Sequence, residues 1–169
     1  SDKKLFSQFR KYKTFVAAST HNTEELFAAK THILLKKKIK NIITIIIPRH
    51  INRVDQIISQ INELGLNAIS RRSNKKKLDN IDIYLVDTFG ESKKFYKFAT
   101  TVFLGGSIIK RGGQNPLEPA RFGAKILHGP NIDNFRDVYK YLNQLEISSS
   151  IKTPQQCANS IIFKKNMKK

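Results

Sequence analysis

Two glycine pairs, Gly105-Gly106 and Gly112-Gly113, mark the stretch of this 169-residue chain whose residue types point most directly to chemistry. The stretch runs Leu104-Gly105-Gly106-Ser107-Ile108-Ile109-Lys110-Arg111-Gly112-Gly113-Gln114-Asn115-Pro116-Leu117-Glu118-Pro119-Ala120. Thr101-Val102-Phe103-Leu104 leads into it, short, apolar and β-branched enough for a buried strand. Behind it, Asn115 can cap a helix and Pro116 can occupy its first turn. Glycine lets the backbone turn sharply or approach a ligand closely. A strand, a glycine loop and a helix N-terminus together make an anion site, because unpaired N–H groups and the helix dipole face one crevice. Glu118 repels a phosphate but suits the two hydroxyls of a ribose, from which it can accept hydrogen bonds. The loop reads as a nucleotide site, with Gly106, Ser107, Asn115, Pro116, Leu117 and Glu118 as its candidates. It carries no G-x-G-x-x-G and no Walker pattern. Ser107-Ile108-Ile109-Lys110 spells S-x-x-K, but the S-D-N and K-T-G partners of a penicillin-binding nucleophile are missing.

Other polar groups recur just after apolar runs. Ser19 and Thr20 follow the first run, where their hydroxyls either bind a phosphate or carboxylate or cap the next helix. Pro48-Arg49 follows the second, and a guanidinium held at a strand end clamps phosphate through its planar fork. His50 beside it reads as a surface residue or cap. Phe89-Gly90-Glu91 follows a later run: Gly90 permits close approach to a planar base, and Phe89 is either its apolar lid or ordinary core. Arg71-Arg72 reaches substrate or extends a basic face, and Asp87 fixes a turn.

These positions need a scaffold, and the pattern supplies one. Residues 1–12 read as a lead-in or loose helix, and 13–18 as a buried strand. Asn22 or Thr23 is placed to cap a helix over 24–38. Residues 41–47 are apolar on both faces, the mark of a central parallel strand. Val54, Ile57, Ile58, Ile61 and Leu64 give a helix over 51–64, stopped by Gly65. Further strands fall at 66–70, 81–86, 101–104 and 124–127, with helices at 91–99, 116–122 and 134–145 and a basic loop at 73–80. Ser148-Ser149-Ser150 reads as a linker, and a last helix from Thr153 is expected to pack through Ala158, Ile161 and Ile162. The alternation gives an α/β, doubly wound parallel sheet with its ligand crevice at the carboxyl ends of the strands. The expected organisation is a lead-in over 1–12 and one domain over 13–169.

Thirty-one Lys+Arg against 13 Asp+Glu give a net charge of +18 and a pI near 10.1. Such a surface attracts nucleic acid, anionic headgroups or phosphorylated substrates. The clusters Lys36-Lys37-Lys38, Lys75-Lys76-Lys77 and Lys164-Lys165 read as solvated surface. With little aromatic interleaving and no RNP, zinc-finger or basic-zipper pattern, no dedicated nucleic-acid partner is expected. No apolar run reaches the roughly 18–20 residues of a membrane span, and no signal peptide opens the chain. The single Cys157 excludes an internal disulfide and a Cys-based metal cluster, and suits a reducing cytoplasm.

The blocks together resemble the 3-deoxy-D-manno-octulosonic acid (Kdo) transferases of lipopolysaccharide core synthesis. The resemblance rests on Ala17-Ala18-Ser19-Thr20-His21 with Glu24-Glu25, Ile47-Pro48-Arg49-His50, Arg71-Arg72-Ser73 and Asp87-Thr88-Phe89-Gly90-Glu91. It continues through Gly105-Gly106-Ser107, the run from Gly112 to Ala120, and His128-Gly129-Pro130 with Asn134-Phe135. It implies the Rossmann-like C-terminal domain of a GT-B glycosyltransferase, binding a CMP-Kdo donor through Pro48, Arg49, Phe89, Gly90, Glu91, Asn115, Pro116, Leu117 and Glu118. It further implies transfer of Kdo to a lipid A precursor without metal or cofactor, at the cytoplasmic face of the inner membrane, where the basic surface meets anionic lipid. The general base on the acceptor hydroxyl is implied to come from an N-terminal half that this chain is expected to lack, so the chain alone is expected to be inactive. Gln114 departs from the family histidine: it keeps a hydrogen bond but cannot carry a proton. Two other readings stay open: a non-enzymatic basic module for nucleic acid or membrane, and another nucleotide-sugar glycosyltransferase domain.

Overall fold

In a computed structural model, which describes residues 2–73, 75 and 77–163, seven parallel strands form one sheet in the order β3-β4-β2-β1-β5-β6-β7. The strands are β1 Lys13–Thr20, β2 Ile42–Pro48, β3 Ala68–Ser70, β4 Ile83–Leu85, β5 Thr101–Leu104, β6 Lys125–His128 and β7 Ser148–Ser150. The helices are α1 Asp2–Phe9, α2 Glu24–Lys36, α3 Val54–Glu63, α4 Ser92–Tyr96, α5 Leu117–Arg121, α6 Arg136–Gln144 and α7 Pro154–Ser160. This is an α/β, Rossmann-like, doubly wound architecture.

Strand alternation divides the core into two layers. Val16, Ala18, Ile43, Ile45, Tyr84, Val102 and Ile126 face one side and meet Leu5, Phe9, Phe95 and Tyr139 from α1, α4 and α6. Phe15, Ala17, Ile42, Ile46, Ile83, Phe103 and Leu127 face the other and meet Phe27, Ile57, Ile61 and Cys157 from α2, α3 and α7. The helix after β1 therefore lies on one face and the helix after β6 on the other. Winding reverses between β1 and β5, the topological switch point where such sheets bind ligands.

Several sequence expectations shift here. The segment 1–12 contains a packed helix, because Leu5 and Phe9 are spaced to bury together against Val16 and Tyr84. The three serines 148–150 form an edge strand rather than a linker, paired to Ile126, Leu127 and His128 through backbone groups that need no apolar side chain. Neither Asn22 nor Thr23 caps α2 in the expected way: Thr23 is left-handed (φ 76°) with no side-chain capping bond, and the Asn22 side chain accepts from its N–H instead. The helix expected over 51–64 opens as a 3-10 turn, Ile51–Arg53, before α3. Cys157 buries the inner face of α7 with Ala158 and Ile161 packed beside it, whereas Ile162 turns outward. Lys76, Lys164 and Lys165 of the basic clusters lie outside the described residues.

Candidate functional site

The switch point brings the ends of β1, β2 and β5 into contact. Thr20 pairs with Pro48 across a bulge at Ser19, whose φ of 56° is a left-handed value uncommon for serine. The Arg49 N–H donates to the Thr20 carbonyl, and the Gly105 N–H to that of Ala18. Gly105 lies so close to β1 that a Cβ there would stand 2.3 Å from the Ser19 oxygen. The first glycine thus serves packing of the loop on the strand, not ligand approach.

The loop after β5 is occupied from within. Glu24, fully buried, accepts hydrogen bonds from the N–H groups of Gly106 (2.7 Å), Ser107 (3.2 Å) and Ile108 (3.1 Å), and from that of His21 (3.0 Å). The anion site read from the glycines exists, but its anion is this chain's own carboxylate. The Ser107 hydroxyl is likewise committed, donating to the Leu104 carbonyl and accepting from the Gly129 N–H. Gly106 and Ser107 therefore shape the crevice, with the polar groups expected to hold ligand already satisfied. Helix α5 is only five residues long, and the Leu117 N–H is satisfied within the chain, donating to the Asn115 side-chain oxygen at 3.0 Å. Pro116, buried, precedes this helix, and Leu117 and Glu118 form its first turn with Leu117 exposed.

Phe89 projects into solvent, 88% exposed, which excludes the core alternative. Gly90 beside it is left-handed (φ 73°), with open space where a side chain would stand. The Glu91 carboxylate is engaged within the chain. Arg71 grips it at 2.7 and 2.9 Å, Lys94 donates at 2.7 Å and the Thr88 hydroxyl also donates. That grip, led by Arg71, holds the Glu91 carboxyl well below the usual carboxylate range. Arg71 also reaches Asp2 of α1 at 2.9 Å and is largely buried, so it is not free to extend the basic face; Arg72 beside it is exposed. Asp87 ties the turn, accepting from the Arg72 N–H.

Around Gly106 the structure adds residues that strand-end reading left out. A Cβ on Gly106 would lie 3.3 Å from Cβ of Arg111, 3.4 Å from Nε2 of Gln114 and 3.7 Å from Cδ2 of His21. The His21 ring packs edge-on against that of His50, 5.6 Å between centroids. Arg53 pairs with the buried Glu25 at 2.8 Å, while Arg49 stands exposed at the mouth. Nε2 of His21 and Oγ1 of Thr20, both buried, have no hydrogen-bond partner among the described residues. The crevice is thus positive and lined by buried polar atoms with unfilled capacity, and Phe89 stands exposed after β4 at the same carboxyl edge of the sheet. The signal for His21 was present in sequence: a histidine directly after a strand and three residues before the glutamate that organises the loop.

No protein-family model matches the chain. It is 30% identical over 155 residues to the 3-deoxy-D-manno-octulosonic acid transferase of Haemophilus influenzae, covering 89% of this chain and 36% of that protein. To the transferase of the same name from Rickettsia felis it is 34% identical over 160 residues, covering 95% of this chain and 34% of that one. The chain thus spans about a third of the length of these relatives. Its fold matches the crystal structure of the C-terminal CMP-Kdo binding domain of WaaA from Acinetobacter baumannii. That match has a TM-score of 0.84 at 23% identity, over 93% of this chain and 84% of that one. The chain is therefore related, over nearly all of its own length, to the 3-deoxy-D-manno-octulosonic acid transferases.

Proposed function

We propose that this chain is the donor-binding half of a Kdo transferase and that its crevice takes CMP-Kdo. One observation carries the reading: a positive crevice with unpartnered buried polar atoms at the β1/β5 switch point, in a chain whose relatives are Kdo transferases. In this reading the cytosine lies along Phe89 and Gly90, and Glu118 accepts from the ribose hydroxyls. Asn115, Pro116 and Leu117 shape that wall. The phosphate and the sugar carboxylate meet Ser19, Thr20 and Arg49 beside Pro48. Glu91 contributes through backbone position, its carboxylate being held by Arg71.

In the transfer reaction an acceptor hydroxyl on a lipid A precursor attacks the Kdo anomeric carbon while the bond to CMP breaks. Cations preorganised at the crevice offset the charge that develops on the departing phosphate. The attack also needs a base for the hydroxyl proton. Glu24, Glu25 and Glu91 are all consumed by internal bonds, and Glu118 is assigned to ribose. The 169-residue chain is therefore expected to bind donor without transferring sugar. The basic surface would seat it peripherally on anionic lipid of the inner membrane's cytoplasmic face. Among the described residues no helix is long and apolar enough to cross a membrane.

Calorimetric titration with CMP, UMP and AMP at two salt concentrations tests this reading, with Glu118→Ala alongside. Saturable CMP binding, weak for the other two and lost in the variant, supports a donor site. Absence of any nucleotide preference, with affinity collapsing in salt, would instead make the chain a basic binding module.

A further inference from the structure

His21 is a buried titratable ring beside the Gly106 turn of this crevice. It is 8% exposed, and its backbone N–H is fixed by Glu24, which leaves the imidazole anchored with Nε2 unpartnered among the described residues. Basic groups surround it: Arg111 from the glycine loop, Arg49 from the end of β2 and Arg53 from the 3-10 turn, with the His50 ring packed edge-on. The nearby carboxylates offset them only in part. Glu24 is filled by four N–H groups and Glu25 by Arg53. Gln114 lies across the Gly106 α-carbon and cannot take a proton. The pocket is left with an excess of arginine over carboxylate and an unpartnered ring nitrogen among the described residues.

We infer that His21 is a ligand-contacting residue, and that its imidazole takes up a proton when the anionic group of a cytidine nucleotide binds beside Nε2. This rests on the nucleotide reading above. Burial first, then the neighbouring Arg111, His50, Arg49 and Arg53, hold the free ring's proton affinity below its ordinary value of 6.5. An anion at Nε2 reverses the charge balance and supplies the missing acceptor, so the ring is neutral when free and cationic when bound. His21 would then provide the positive charge that Gln114 cannot.

The sign follows from linkage. Binding that takes up a proton tightens as pH falls through the bound-state value and levels off below the free-state value. The probe is the methyl phosphodiester of CMP, because a phosphomonoester has its own ionisation near pH 6 and would mask that of the ring. Calorimetry of the full chain in two buffers of different ionisation enthalpy counts the protons. Wild type is expected to take up a fraction of a proton near neutrality, and to bind about tenfold more weakly at about pH 8 than at about pH 5.5, tenfold being one unit of altered proton affinity. In His21→Gln both effects should vanish while the ester still binds; in His50→Gln, which removes a neighbouring ring but leaves Nε2 of His21 in place, proton uptake should persist, with a smaller change of affinity with pH. Ester binding without proton uptake, or uptake that survives in His21→Gln or is lost in His50→Gln, overturns the inference and leaves the nucleotide reading standing. Failure of wild type to bind the ester at any pH overturns both.

Discussion

The carboxylate of Glu24 and the amide of Gly106 meet at 2.7 Å in the buried floor of the crevice, 82 residues apart in sequence. This bond places α2 and the glycine loop in one rigid unit, and the same carboxylate oxygen takes the His21 N–H. Glu24→Gln keeps one acceptor oxygen but turns an NH2 toward N–H donors, leaving at least one buried donor unpaired. The variant is expected to be less stable by about 3 kcal/mol, as when a buried charged hydrogen-bonding group loses its complement. Urea denaturation checks it: the midpoint should fall with an unchanged slope. A midpoint like that of wild type would mean the loop holds its shape without Glu24.

Much of the scaffold was legible because its signals are local. Residues 42–48 are apolar but for Thr44 and fold as the fully buried β2, and Gly65 with its φ of 82° follows the end of α3. What was missed depends on partners distant in the chain. Ser148–Ser150 becomes a strand only because β6 offers its edge, and no property of three serines announces that. The glycine loop looked like a phosphate cradle because its N–H groups were correctly read as unpaired locally; Glu24, which fills them, comes from the other side of the switch point. The same distance hid Arg71 from view as the partner of Glu91, twenty residues on.

That Arg71–Glu91 pair sets a pH dependence. Held mainly by Arg71, the Glu91 carboxyl lies well below its ordinary 4.5 in the folded chain. A carboxyl depressed by folding contributes stability that is complete above the unfolded value and is lost as pH falls toward the folded one. Wild type should therefore lose stability progressively below about pH 4.5, and Glu91→Gln should lose less over the same range while starting lower at neutrality. Denaturation midpoints between neutrality and pH 3 give the comparison. Parallel curves would show that the pair contributes nothing.

Cys157 is fully buried against α2, and burial pushes its thiol up to about 12. Only the thiolate attacks alkylating reagents, so the folded chain should be inert to iodoacetamide at neutral pH. Labelling should appear only across the urea unfolding transition, followed by mass spectrometry. Rapid labelling without denaturant would place α7 in a local opening equilibrium separate from the rest of the core.

Phe89 separates binding from folding better than any other residue of the site. It is 88% exposed and follows the buried Asp87, so its ring packs in neither core layer. Removal of an exposed side chain leaves stability within about 0.5 kcal/mol. Stacking on a base is worth about 1–3 kcal/mol by alanine substitution. Phe89→Ala should therefore melt with wild type while binding CMP on the order of tenfold more weakly, a loss that Phe89→Tyr should not show. Unchanged CMP affinity in Phe89→Ala would remove the ring from the site and move the cytosine toward the α5 wall at Leu117 and Glu118. Equal losses of stability and affinity would make the 89–91 loop part of the scaffold instead.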